Sequence, residues 1–218
     1  MPLTDLTEVP VGRPAQLRNE PVQARSAARL ETLLDAAASV VDDLGYERLT
    51  TAMVAEHAGA SIGTVYRYFP DRIAVLQALA GRNLDRVLGR IRADFFDERH
   101  QTWLEALSAS FDIFVEAFRV EPGFRSLRVG DVLDLRPPLD PETFNSRVAD
   151  EMMRALVERF DLEDTDESRF AFETAIEISD ALVARAFARD PEGDPRFLEQ
   201  ARTIVRSVLS EHFGATTL

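Results

Sequence analysis

Apolar residues recur every three or four positions along most of this chain, which is the spacing of one face of an α-helix. The first stripe starts at Ser26 and is closed by Gly45. Later stripes predict a long helix that begins after the N-cap Asp71, and a helix that begins at a Thr102–Glu105 capping box and ends at Pro122. Three more helices are predicted near residues 141–160, 166–189 and 195–213. The first and the last of these three begin at the N-cap and proline pairs Asp140–Pro141 and Asp194–Pro195. Residues from about 122 to 138 are expected to form a linker. No stretch alternates like a strand and no repeat of about 20 to 50 residues is visible, so we expect an all-α fold.

Residues 50–72 predict two short helices joined by a tight turn. Thr50 is a good N-cap for the first helix, and Gly59 can take the left-handed conformation that ends it. The second helix is too short to be stable alone, so Val65 and Phe69 must dock on a neighbour. The side chains left to face outward, and so to suit a groove, are Ile62, Thr64, Arg67 and Tyr68.

A tight turn between two helices also fits an ordinary helical hairpin. The pattern T-x-x-x-V-A-x-x-A-G-x-S-x-G-T-x-Y-x-Y-F, which starts at Thr50, resembles the DNA-binding signature of the TetR family of bacterial transcriptional regulators. That family usually carries an aliphatic residue where Ala60 stands and a lysine where Arg72 stands. The arginine keeps the charge and adds donors able to grip a phosphate.

The resemblance implies an N-terminal helix-turn-helix domain and a larger C-terminal helical domain that binds a ligand and forms a homodimer. We divide the chain into a flexible arm over residues 1–24, a DNA-binding domain over 25–70 and a ligand-binding and dimerisation domain over 71–218. The arm contains four prolines and no periodic apolar pattern. Its arginines either reach a minor groove or belong to a solvated tail.

DNA contacts of two kinds are expected around the turn and the second helix. The residues expected on phosphates are Thr51, Thr64, Tyr68 and Arg72, and those expected near base edges are Ile62, Gly63 and Arg67. The predicted DNA-binding set is completed by Thr50, Ser61 and Tyr66.

The net charge of −13 is distributed unevenly along the chain. Residues 1–92 hold 11 acids and 11 bases, whereas the rest holds 27 acids and 14 bases, so phosphate contact is expected only through the N-terminal part. The chain has no cysteine and only three histidines, and no catalytic motif is visible, so we expect no metal, no cofactor and no enzymatic activity. Without a long apolar run or a signal-like N-terminus, we expect a cytoplasmic protein with no membrane partner.

Thirteen of the 14 phenylalanines and the single tryptophan lie beyond residue 93, where a ligand pocket is implied by the resemblance. The predicted pocket residues are Trp103, Phe111, Phe114, Phe118, Phe144 and Met152. Core packing is an alternative explanation for them, because core and pocket residues share one periodicity.

The helix near residues 166–189 has a narrow polar stripe, so we expect it to bury apolar surface on two sides, within the subunit and against a symmetric mate. The stripe consists of Arg169, Glu173, Glu177 and Asp180. The predicted dimer interface consists of Ile176, Leu182, Val183, Phe187, Ala201, Ile204, Val205, Val208 and Leu209.

The expected function is therefore that of a transcriptional regulator, a repressor that binds a near-palindromic DNA operator as a homodimer and responds to an unknown small-molecule effector. The direction of the response rests on the resemblance. The alternative is a DNA-binding architectural or occlusion protein without an effector, which a packed body with no cavity would favour.

Overall fold

The computed structural model describes residues 20–129 and 144–214, with side chains over 24–129 and 145–214. Its helices are α1 Glu20–Leu44, α2 Thr51–His57, α3 Ile62–Tyr68, α4 Arg72–Phe95, α5 Trp103–Val120, α6 Phe124–Val129, α7 Phe144–Phe160, α8 Asp166–Phe187 and α9 Pro195–Phe213, with a 3-10 turn at Tyr46–Arg48 after α1. These residues contain no strand. The all-α prediction is confirmed.

Helix starts follow the predicted caps. The Asp71 side chain accepts the backbone N–H of Ala74, and Thr102 and Glu105 form the reciprocal capping box that opens α5. Asp194 caps α9, whose first residue is Pro195. Such caps satisfy backbone donors that a helix start otherwise leaves without partners. The predicted Asp140–Pro141 start lies outside the described residues.

Two elements differ from the prediction. Helix α1 begins at Glu20, inside the predicted arm, because Pro21 falls in a first turn, where proline costs no hydrogen bond. Helix α6 lies in the segment predicted to be a linker, and it is held by the burial of Phe124 and Leu127. The first correction lengthens α1 at its N-terminal end, and the second adds a helix that contacts both hydrophobic cores.

Two hydrophobic cores are joined by α4 and α6. The head, which we define as α1–α3 with the first half of α4, packs around residues such as Leu33, Val65 and Leu76. The body comprises the rest. Within α6, Phe124 belongs to the body core and Leu127 to the head core. A six-residue helix therefore anchors one domain to the other.

The turn before α6 approaches α1 closely. Gly123 has φ +74°, and its backbone N–H donates to Asp42 Oδ1 at 3.2 Å. A Cβ added there would lie 3.2 Å from Val41 Cγ1. We expect Gly123→Ala to lower the free energy of unfolding by about 1 to 3 kcal/mol, through backbone strain and this contact. Urea denaturation measures the change.

Gly89 provides the matched control, because it lies on an exposed part of α4 with nothing near an added Cβ. There the same substitution should stabilise the protein by about 0.5 to 1 kcal/mol, since alanine favours a helix. Equal effects at the two positions would contradict the close approach at Gly123.

Candidate nucleic-acid interface and internal cavity

Helices α2 and α3 form the tight helical pair that the caps and the glycine predict. Ser61 Oγ accepts the backbone N–H of Thr64 at 3.1 Å, and Gly59 has φ +56°. Val65 is fully buried and Phe69 is 4% exposed, so α3 docks on the head core through its predicted apolar residues. The opposite side of α3 has no covering element among the described residues.

That free side carries mixed chemistry. Ile62 is 43% and Tyr66 55% exposed, and Arg67 is exposed beside them. The Thr51 hydroxyl donates to the Tyr66 hydroxyl at 3.3 Å, which ties α2 to α3. Thr64 is only half-buried, with its hydroxyl 2.9 Å from that of Ser61. An apolar side chain, a guanidinium and phenol groups on one short helix suit a major groove.

Tyr68 joins α3 to α1. Its hydroxyl lies 3.2 Å from Ser26 Oγ, and the Arg67 guanidinium lies over its ring at 5.3 Å. The hydrogen bond with Ser26 and the charge of Arg67 lower the pKa of the Tyr68 phenol. These residues, with Arg25 and Arg29, border a concavity of about 830 Å³. Arg25, Ser26 and Arg29 of α1 therefore belong to the same face. The predicted set of DNA-binding residues does not include Ser26 or Arg29, although both lie within the predicted DNA-binding domain over residues 25–70.

Five arginines of the head lack carboxylate partners among the described residues, whereas Arg82 at the end of the head pairs with Glu31 and Asp35. Within the described residues, no acid lies within 4.0 Å of Arg25, Arg29, Arg48, Arg67 or Arg72. Most described arginines further along the chain form such pairs, including Arg82, Arg92, Arg128, Arg147 and Arg169. Five arginines without an ion-pair partner in the described part of the chain therefore lie on the head. Among the described residues of the body, the arginines without such a partner are Arg90, Arg125, Arg159, Arg185, Arg189 and Arg206.

Arg72 has a structural contact that the sequence did not indicate. Its Nη1 donates to the Glu47 carbonyl at 2.9 Å and so ties the start of α4 to the 3-10 turn. A guanidinium has five donor hydrogens, so a phosphate contact remains compatible with this bond. The phosphate role of Arg72 stays a prediction.

An internal cavity of about 60 Å³ lies in the body between five helices. Its walls are Leu84, Val87, Leu88 and Ile91 from α4, Leu107, Ser110, Phe111 and Phe114 from α5, Asn145, Val148 and Met152 from α7, Ile176, Ser179 and Asp180 from α8, and Val205 from α9. Most of these side chains are apolar. The volume is far below the roughly 300 Å³ at which ordinary ligand pockets begin.

One end of the cavity is polar. Asn145 Nδ2 donates to Glu177 Oε2 at 2.9 Å, and Arg128 of α6 forms an ion pair with Asp180 of α8. Arg128 Nη2 also donates to Asn145 Oδ1 at 3.3 Å. This network joins α6, which touches the head, to the wall of the cavity.

The two parts of the chain match profiles of one protein family. Residues 33–79 match the profile described as bacterial regulatory proteins, tetR family, and residues 101–213 match that described as tetracyclin repressor-like, C-terminal domain. This chain belongs to the TetR family. Its helix-turn-helix is accordingly the DNA-binding element of a transcriptional regulator.

Individual similar proteins add detail. A crystal structure of a regulator from Streptomyces coelicolor is 33% identical, covers 84% of this chain and 99% of its own, and superposes with a TM-score of 0.71. The repressor KstR of Mycolicibacterium smegmatis is 37% identical over 59 residues, only 27% of this chain and 29% of that protein. The nucleoid occlusion factor SlmA of Idiomarina loihiensis is 26% identical over 86% of this chain and 90% of its own.

The structure brings three of the predicted pocket residues to the cavity of this TetR-family protein: Phe111, Phe114 and Met152. Trp103 and Phe118 do not reach it. Trp103 is 6% exposed and packs edge-on against Phe213 at 5.7 Å, and Phe118 is 2% exposed and stacks on Phe187 at 4.8 Å. Both fill the core instead. The side chain of Phe144 lies outside the described residues.

Several predicted dimer-interface residues are also core residues. Val183, Phe187, Ala201, Val205 and Leu209 are at most 7% exposed in the single subunit, so they have no surface to offer a partner. Ile176 lines the cavity. Besides Ile176, the half-buried members of the set are Leu182, Ile204 and Val208.

The polar stripe of α8 contacts its own subunit. Arg169 pairs with Asp164 and with Asp150 of α7, while Glu177 and Asp180 belong to the network at the cavity. The free face of α8 is a different one, marked by Phe170 with 72% exposure. Its other members are Thr174, Ile178, Ala181 and Leu182, of which Leu182 also packs against the body core.

Within residues 20–129 and 144–214, no group of three or more histidine, aspartate or glutamate side chains is arranged to hold a metal ion. In the same part of the chain, no helix combines the length and apolar character that crossing a bilayer requires.

Proposed function

We propose that this TetR-family protein is a homodimeric, ligand-responsive repressor whose two heads enter successive major grooves of a near-palindromic operator. The observation that carries the proposal is the set of five head arginines without carboxylate partners among the described residues, on the domain that also presents the free side of α3. Such charges are available to neutralise phosphates and release their counterions. The acidic body has the opposite charge balance.

Dimerisation is proposed through the outer faces of α8 and α9. Phe170 is a large apolar side chain with 72% exposure, and a patch of exposed apolar side chains marks a surface for protein contacts. Ile178 and Leu182 continue its face along α8, and Ile204 and Val208 lie on the neighbouring face of α9. Two copies of this helix pair can form a four-helix bundle around a two-fold axis.

Ligand control is proposed to act through α4 and α6. A ligand larger than about 60 Å³ must push on the cavity walls, which include Leu84 and Ile91 of α4. The same helix packs into the head core through Leu76, and α6 does so through Leu127. A ligand that binds better to a state with displaced α4 shifts the population toward it and changes the spacing of the heads.

Two arginines test the DNA-binding face. Arg29→Ala should weaken binding to all DNA sequences. In a plot of the logarithm of the binding constant against the logarithm of the salt concentration, the slope should become shallower by roughly 0.9 for each phosphate that is no longer neutralised. Arg67→Ala should relax discrimination at one base pair by about 1 to 3 kcal/mol. Fluorescence anisotropy with an operator obtained by random-oligonucleotide selection, at several salt concentrations, measures both.

Arg90→Ala is the matched control, because Arg90 is exposed on α4 outside the head face and has no carboxylate within 4.0 Å among the described residues. It should leave affinity, slope and selectivity unchanged. If Arg90→Ala changed the salt slope as much as Arg29→Ala, the α1 surface would not be a specific phosphate contact.

A second candidate function is a DNA-binding occlusion protein without an effector. The small volume of the cavity and the alignment with SlmA over 86% of this chain favour it. In that case no apolar compound should raise the melting temperature or release DNA. A compound that does both favours the ligand-responsive repressor.

A further inference from the structure

The internal cavity shares walls with a surface groove. The groove has a volume of about 410 Å³ and lies between α5 and α9. Leu107, Phe111 and Val205 line both spaces. Helix α9 packs chiefly on α8 and only lightly on α5. Three apolar side chains therefore separate the cavity from the groove at the place where the helices are least tightly joined.

Phe111 is held in this wall from outside. The Arg202 guanidinium of α9 lies 4.5 Å from the centre of the Phe111 ring and forms an ion pair with Asp112, the next residue of α5. Asp112 is exposed and Arg202 and Phe111 are half-buried, so water weakens both contacts. A change of the Phe111 rotamer would connect groove and cavity without unfolding either helix.

The internal cavity and the surface groove together could hold a ligand that neither could hold alone. The cavity alone is too small for an ordinary ligand, and the groove alone leaves one side of a ligand in solvent. Ser179 lies in the cavity wall, is 6% exposed and makes no hydrogen bond within the described residues. A ligand oxygen that reaches Ser179 would give this hydroxyl a partner.

The charges along this route favour an uncharged ligand. The groove carries Arg202 and Arg206 together with Glu105 and Glu199, so its formal charges cancel. Asp180 is the one charged residue among the described cavity walls, and Arg128 already pairs with it. An ion that moved inside would lose its hydration without gaining a counter-ion.

We propose that an uncharged, elongated and mostly apolar molecule bearing a hydroxyl or carbonyl oxygen reaches the cavity from the α5–α9 groove by displacing Phe111 from beneath Arg202. The inference rests on the proposed ligand response and specifies its access route and ligand class. The oxygen enters first and meets Ser179, while the rest of the molecule fills the cavity and the inner part of the groove.

Ligand class is tested with three compounds of equal chain length: 1-decanol, decanoate and decylammonium, below their solubility limits. The full-length protein should melt about 5 °C higher in the presence of 1-decanol at roughly a hundred times its Kd, and less than half as much higher with either ion. A larger rise with decanoate or decylammonium would overturn the proposed class.

The access route is tested with a single thiol, because the chain contains no cysteine. Thr203→Cys places a thiol in the groove, and a bulky maleimide attached there should abolish the 1-decanol shift that the unmodified variant retains. Ala93→Cys, on an exposed part of α4 outside the groove, should keep the shift after the same modification. An undiminished shift in modified Thr203→Cys would overturn the route.

Failure of this inference is distinguishable from failure of the proposed function. A decanol shift that survives blockage of the groove, or a charged compound that binds better, contradicts the inference and leaves ligand response intact. If neither these three compounds nor a broad library of apolar compounds stabilises the protein, the inference and the ligand response both fail, and DNA binding stands alone.

Discussion

Replacing Phe124 with alanine is expected to lower the free energy of unfolding by about 3 to 5 kcal/mol. Phe124 is 2% exposed and packs edge-on against Phe118 at 5.1 Å and Phe114 at 6.2 Å. Phe118 is itself stacked on Phe187. Because these rings come from three helices, they cannot all move to fill the space left by the missing ring. Urea denaturation followed by circular dichroism measures the loss.

Val129 offers a control within the same helix, because it is 37% exposed. Val129→Ala should cost less than about 1 kcal/mol, since little apolar surface is removed from the core there. Comparable losses from the two variants would mean that α6 is not anchored in the body core through Phe124.

The helix-turn-helix was predictable because its signals are local. Thr50 and Ser61 cap their helices through their own side chains, and Gly59 takes the left-handed conformation that the turn requires. Each of these contacts joins residues within a few positions of one another. The resemblance of this segment to the TetR family is confirmed by the family profile that matches residues 33–79. The residues that shape the turn are among those the signature specifies.

Helix α6 was not predictable from periodicity, because six residues contain fewer than two helical turns. Pro122 and Gly123 directly before it are typical loop signals. What makes the segment helical is tertiary: Phe124 and Leu127 dock on two different cores, and Arg128 pairs with α8. The sequence of residues 124–129 alone does not indicate which other helices this segment will contact.

The body site was only partly predictable, because helical spacing identifies an apolar face without identifying its neighbour. Phe114 borders the cavity while Phe118, one turn further along α5, is part of the solid core. On α8, Val183 is fully buried and Phe170 is largely exposed, although both are apolar residues of one helix. The residues that face a partner become apparent only once the subunit's own contacts are known.

Replacing Ile204 with glutamate is expected to split the proposed dimer. Ile204 is half-buried on the outer face of α9, whereas Val205 beside it is buried in the subunit's own core. The substitution places two like charges close to the two-fold axis, where each loses water without gaining a partner. A cost of about 4 kcal/mol per dimer corresponds to nearly a thousandfold weaker association. Sedimentation velocity measures the change.

Operator affinity should fall together with dimerisation, because a monomer has one head and contacts one half-site. It therefore loses the gain in affinity that a dimer has from binding two half-sites at once. Thr203→Glu is the matched control, since Thr203 is exposed and lies on the groove side of α9. It adds the same charge one residue away and should leave a dimer that binds the operator normally. Circular dichroism separates dissociation from unfolding in the Ile204→Glu variant. If that variant stayed folded, dimeric and bound to its operator, the subunits would have to join through a surface other than α8 and α9.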